Sequence, residues 1–141
     1  MKGFRRILVP IDFSPVAAKL VEQASNLVAD GGVVHLLHVV EWVPRVVDGA
    51  FTGYPETKQV REIHAQSERR LAELGRSLTA KVEVEVAEGD AAPTILEVAS
   101  KGFDLVVLAT KARGGFGQLL LGSVAEKVLH RATVPLLIVR G

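Results

Sequence analysis

Asp12 is the first residue able to do chemistry, set at the end of the apolar run Ile7-Leu8-Val9-Pro10-Ile11. A carboxylate there reads two ways, as part of a ligand site beyond a strand end or as the cap of the turn that follows. A second concentration runs from Thr110 to Gln118, where Gly114, Gly115 and Gly117 accompany the cations Lys111 and Arg113. A pliable basic loop suits phosphate, although two solvated cations explain it as well. It leads to Ser123, where a helix is expected to begin, and the free amides and positive dipole end of that helix favour an anion. Ser123 and Glu126 also have the spacing of a capping box, which accounts for the serine with no ligand. His35 and His38 fall inside an apolar stretch and are read as satisfied within the sheet; His64 and His130 are read as surface residues of helices.

Several chemistries fail on residue types. There is no cysteine, so disulfides, thiolate metal sites and cysteine nucleophiles are excluded. The G-x-x-x-x-G-K-[ST] phosphate loop is absent, and Gly115-Phe116-Gly117 lacks the third glycine of a dinucleotide fingerprint. A phosphoryl-receiver site would need further carboxylates, but Asp12 stands alone after the first strand. No general base is placed beside Ser123, and no paired carboxylates indicate a metal, which weighs against a hydrolase.

The elements that must position these residues follow from hydrophobic periodicity. Arg5 to Ile11 reads as a buried strand. Ser14-Pro15 then offers an N-cap and a first helical position, and Ala17, Leu20, Val21, Ala24, Leu27 and Val28 recur by threes and fours along the helix. Asp30-Gly31-Gly32 is expected to end it, and Val33 to Val40 to form the second strand. Glu41 to Thr57 is the one long irregular stretch; its Trp42, Val46, Val47, Phe51 and Tyr54 suggest local packing or an oligomer contact. A helix is expected over Lys58 to Leu78, with Ser67 in the apolar stripe, and a half-exposed edge strand over Lys81 to Glu88. Asp90 caps a short helix, Asp104 to Ala109 is a buried strand, Ser123 to about Arg131 is a helix, and Pro135 to Val139 is the last strand. Strands alternating with helices call for a parallel sheet covered on both faces, with right-handed crossovers.

The chain has 141 residues, which suits one domain spanning 1–141. Its 17 basic and 16 acidic residues nearly cancel, so nothing in the charge argues for nucleic acid or an anionic membrane as partner. Met1 to Arg6 is basic, but the apolar run behind it is interrupted by Pro10 and stopped by Asp12, too short for a secretory signal. A cytoplasmic protein is therefore expected.

Four segments carry a resemblance. Ile7-Leu8-Val9-Pro10-Ile11-Asp12-Phe13-Ser14, Leu37-His38-Val39, Leu119 to Val128 and Val134-Pro135-Leu136-Leu137-Ile138-Val139 together resemble the universal stress proteins over the whole chain. The resemblance implies an open, five-stranded, mainly parallel α/β sheet of order 3-2-1-4-5, of the adenine nucleotide alpha hydrolase-like type. In nucleotide-binding members the loop after strand four follows G-x2-G-x9-G-[ST]; here Ala109-x2-Ala112-x9-Gly122-Ser123 keeps the spacing with alanine at both leading positions. Carried over, Asp12 would bond the ribose or adenine side, and the Val39 backbone would meet adenine. Pro10 and Leu108 would line the base pocket, and Ala112, Arg113, Gly122, Ser123 and Val124 would hold phosphates. The implied ligand is ATP or AMP with Mg²⁺ and no protein-caged metal, bound by a regulatory module without catalytic residues. The alternative is a dimeric interaction protein of the same fold whose site has decayed, and the two alanines leave that choice open. An alanine forced to positive φ or against phosphate costs on the order of 1 kcal/mol, whereas one in an ordinary strand or helix costs little. A homodimer through the edge strand Val134 to Val139 is the expected assembly.

Overall fold

In the computed structural model, which describes residues 3–42, 45–53, 56–110 and 121–141, a parallel sheet alternates with helices. The elements are β1 (Phe4–Pro10), α1 (Ala17–Leu27), β2 (Val28–Val40), β3 (Arg45–Val47), β4 (Ala50–Gly53), α2 (Thr57–Gly75), β5 (Lys81–Glu88), α3 (Ala91–Ala99), β6 (Leu105–Ala109), α4 (Ser123–Arg131) and β7 (Leu136–Val139). The main sheet has the order β5-β2-β1-β6-β7, every pair parallel. Its five strands taken in chain order stand 3-2-1-4-5; β3 and β4 form a separate two-stranded sheet.

Alternation along each strand divides the core into two layers. Ile7 and Val9 of β1 and Ile11 just after it, with Val34, Leu36, Leu105 and Val107, pack under α1 and against Leu71 of α2. Leu8, Leu37, Val106 and Leu108 point the other way, under α3 and α4. With both faces covered, the central strands become almost continuously apolar, and β6 shows four consecutive buried residues. Edge strand β5 instead mixes exposed charged positions with half-buried ones.

Several boundaries differ from the sequence-based expectation. β2 begins at Val28, so α1 stops at Leu27 and Asp30-Gly31-Gly32 lies inside the strand. The register jumps from Phe4↔Val28 to Arg6↔Val33, so β2 spends five residues where β1 spends two, and the triplet forms a bulge. Only glycine fits at 32, because a Cβ there would stand 2.8 Å from the Arg5 carbonyl oxygen and 2.9 Å from that of Ala29. At the start of α1, Ser14 contributes its backbone: its carbonyl accepts from Ala17 N at 3.0 Å, while Val16 occupies the N-cap with no side-chain cap bond.

The stretch read as irregular holds the β3–β4 hairpin, and its signal was in the sequence. Asp48 and Gly49 both have positive φ, 50° and 77°, the Asp-Gly pair that a two-residue hairpin turn demands. Its Val46, Val47 and Phe51 are 61%, 59% and 62% exposed. Tyr54 lies outside the described residues. Helix α2 ends at Gly75, leaving Leu78 in the following turn, while Ser67 is buried in its stripe. Its start is fixed by a capping box between Glu56 and Gln59.

Candidate functional site

The β1–β2 ladder continues to Pro10↔Leu37, whereas the β1–β6 ladder has only Ile7↔Leu105 and Leu8↔Val106. The Arg6 carbonyl accepts from Asp104 N on the β6 side, and Ile11 N donates to the Leu37 carbonyl at 2.7 Å on the β2 side. Backbone groups alternate between the two neighbours, so residue 10 presents its nitrogen toward β6. Proline has no hydrogen to donate there, and the ladder ends. The sheet therefore opens between β1 and β6 at their carboxyl ends. This is also where the chain reverses direction across the sheet, since β2 follows on one side of β1 and β6 on the other.

The described residues among those expected at the site are placed as follows. Pro10, half-buried, ends β1, and Asp12, exposed, stands two residues on. Val39 lies near the end of β2, half-buried on the layer of α3 and α4. Leu108 is buried in the same layer near the end of β6. Ala109 pairs with Val139 as an ordinary strand residue and packs toward the opposite layer. It is not among the described non-glycine residues with positive φ, so no conformational penalty attaches to alanine there. Gly122, Ser123 and Val124 open α4. Ala112 and Arg113, with Lys111, lie outside the described residues.

Ser123 is not the N-cap. Gly122 takes that place in extended conformation, Ser123 is the first helical residue, and α4 has no side-chain cap bond, so the expected capping box does not form. The first intrahelical bond runs from Glu126 N to the Gly122 carbonyl at 2.9 Å. The amides of Ser123, Val124 and Ala125 precede it and have no acceptor within the helix. Asp12 does cap its turn: its Oδ1 accepts from Ser14 N at 3.0 Å, leaving the second carboxylate oxygen for another donor.

Both sheet histidines are satisfied. His38 Nδ1 donates to the Ile11 carbonyl at 2.7 Å, and its ring lies 4.5 Å from that of Phe13. His35 places Nε2 2.7 Å from Glu85 and Nδ1 3.4 Å from Glu83, with its ring edge-on to Phe103. His64 stands 3.4 Å from Glu88 at the surface.

Two polar groups near the opening escaped the sequence reading. Thr110 is buried; its amide donates to the Val139 carbonyl at 2.9 Å, and its hydroxyl accepts from Gly141 N at 3.2 Å. It locks the end of β7 to the start of the glycine-rich segment. Glu41 accepts from Ala91 N at 2.9 Å and so caps α3, the role expected of Asp90, whose side chain makes no cap bond. Both act across the fold, and no local spacing announces them. Among the described residues no three His, Asp or Glu side chains are grouped to hold a metal ion.

An open parallel sheet with helices on both faces and a ladder interrupted at its switch point define a doubly wound α/β protein. The chain belongs to the universal stress protein family, whose model matches residues 3–140. It is 32% identical to universal stress protein A homolog 2 of Coxiella burnetii, covering 99% of this chain and 97% of that one. It is 31% identical to universal stress protein YxiE of Bacillus subtilis, covering 97% and 99%. The universal stress protein of Archaeoglobus fulgidus, solved in complex with dAMP, superposes with a TM-score of 0.67 over 94% of this chain and 95% of its own. At 18% identity that likeness speaks for the fold alone.

Proposed function

We propose that this universal stress protein is a regulatory module that binds an adenine nucleotide in the β1–β6 crevice and works through the bound state, without rapid turnover. The observation that carries this reading is the pairing of an open ladder with two complementary polar groups. The exposed Asp12 carboxylate stands after β1, and the first-turn amides of α4, which have no acceptor within the helix, follow β6. A ribose offers hydroxyl donors to the first, and a phosphate suits the second. Pro10, Val39 and Leu108 supply the apolar wall that a base requires. The dAMP held by the Archaeoglobus fulgidus relative is a ligand of this class. Mg²⁺ would arrive with the phosphates of ATP. Ala112 and Arg113 complete the phosphate side in this reading.

Isothermal titration with ATP and AMP tests it. Binding in the micromolar range or weaker is expected, and no heat at millimolar ATP would overturn it in favour of a decayed site. We further infer a homodimer through β7 in the cytoplasm. Backbone groups of Pro135 and Val139 bond β6, so by alternation those of Leu136 and Ile138 face outward. Antiparallel pairing about a two-fold axis would satisfy them.

A further inference from the structure

The turn that carries Asp12 is held in a conformation its own sequence does not favour. Phe13 has φ of +62°, a region uncommon for any side chain and an outlier for a bulky aromatic. Three contacts from separate elements converge on it. From β2, His38 grips the preceding carbonyl of Ile11 and sets its ring 4.5 Å from that of Phe13, tilted by 42°. From α2, Arg70 lays its guanidinium 3.9 Å from the centre of the Phe13 ring. From within the turn, Asp12 Oδ1 holds Ser14 N, bridging across Phe13. Among the described residues no carboxylate is in ion-pair distance of Arg70, and its guanidinium lies over the Phe13 ring instead. A bulky residue stays in the left-handed region only when its surroundings over-determine it.

We propose that Phe13, His38 and Arg70 are positioning residues for the Asp12 carboxylate, so that helix α2, on the opposite face of the sheet from α4, takes part in recognising the nucleoside. This rests on the adenine-nucleotide reading of the crevice. The aromatic–cation stack fixes the φ of Phe13, that φ lets Asp12 reach the Ser14 amide, and the bond leaves the other carboxylate oxygen directed for a ribose hydroxyl. Without the stack the turn samples other conformers, and part of the binding free energy goes to ordering it.

The expected signature is selective. Arg70→Ala weakens adenosine and ATP binding about five- to tenfold and leaves inorganic tripolyphosphate binding unchanged. Arg70→Lys, which keeps a cation over the ring, recovers part of the loss. Wild-type adenosine affinity in Arg70→Ala, or an equal fall for adenosine and tripolyphosphate, overturns the proposal. Water-exchange NMR at the Ser14 amide reads the turn without any ligand. Exchange should quicken several-fold in Arg70→Ala and in Phe13→Gly, the latter able to adopt the same φ without its ring, while core amides such as Val9 stay protected. Unchanged Ser14 exchange in both variants also overturns it. If the unmodified protein binds neither ATP nor adenosine, the nucleotide reading fails, and the Ser14 measurement still decides whether this stack holds the turn.

Discussion

Asp12 caps its turn and, in the proposed site, also meets the nucleoside, two roles that substitution can separate. One oxygen accepts the Ser14 amide, and in the proposed site the other meets the nucleoside. Asn keeps an acceptor for Ser14 but removes the charge, so Asp12→Asn should hold thermal stability within about 0.5 kcal/mol and still weaken nucleotide binding. Asp12→Ala should lose both, with about 1 kcal/mol of stability gone with the turn bond. Paired melting and titration of the two variants check this; identical behaviour would mean that capping is the whole role. Ala109 carries the opposite lesson. Its strand conformation and its packing toward α1 leave nothing for glycine to relieve. Ala109→Gly alone should therefore leave nucleotide affinity unchanged and cost about 0.5–1 kcal/mol of stability through backbone entropy. Any gain from restoring both glycines of the family spacing must come from Ala112→Gly, and titration of the two single variants separates the contributions.

At the scale of elements, two turns with similar residues differ in what they tolerate. The β2 bulge is walled in: a Cβ at Gly32 would meet backbone oxygens of β1 and of its own strand, neither able to move without breaking the register of the two central strands. Gly32→Ala should cost about 2 kcal/mol or more, seen as a lower urea midpoint at an unchanged slope. The β3–β4 turn is open, with nothing within 4 Å of a Cβ at Gly49. Gly49→Ala should therefore fray the hairpin by about 1 kcal/mol of local strain while global unfolding stays nearly unchanged. Hydrogen exchange confined to residues 45–53 would report it, whereas a shifted global melt would mean that the hairpin is coupled to the core.

For the whole molecule the exposed edge of β7 is the feature to test. Among the described strands Leu136 to Val139 lies beside β6 alone, and an apolar edge of this kind templates pairing with another chain. Because Pro135 and Val139 face β6, Ile138→Pro removes a donor from the outer side and spares the inner ladder. Sedimentation should then show a monomer that melts cooperatively, and Leu137→Lys should weaken the dimer while adding a charge to the edge. A dimer of unaltered affinity in both variants, or a monomeric unmodified protein at roughly tens of micromolar, would dismiss this interface.

The sequence by itself determined the layer architecture, because apolar runs such as Leu105 to Leu108 can be buried only in a strand covered on both faces, and helices of period 3.6 must supply the cover. It also carried the place where the sheet opens, since the proline that ends the β1–β6 ladder and the carboxylate after it are neighbours in the chain. Its hairpin was legible too, in Asp48-Gly49 between apolar residues, and went unread only because a stretch rich in glycine and proline resembles a loop. What the tertiary structure alone decided are interactions between distant residues. Glu41 took the cap of α3 from Asp90, Gly122 took that of α4 from Ser123, and the Asp-Gly-Gly triplet became a bulge because β1 runs beside it. Capping and turn signals state only what a segment can do alone. Which partner reaches a free amide first depends on chain brought close by the fold, as the carboxylate of Glu41 reaches Ala91 from 50 residues away.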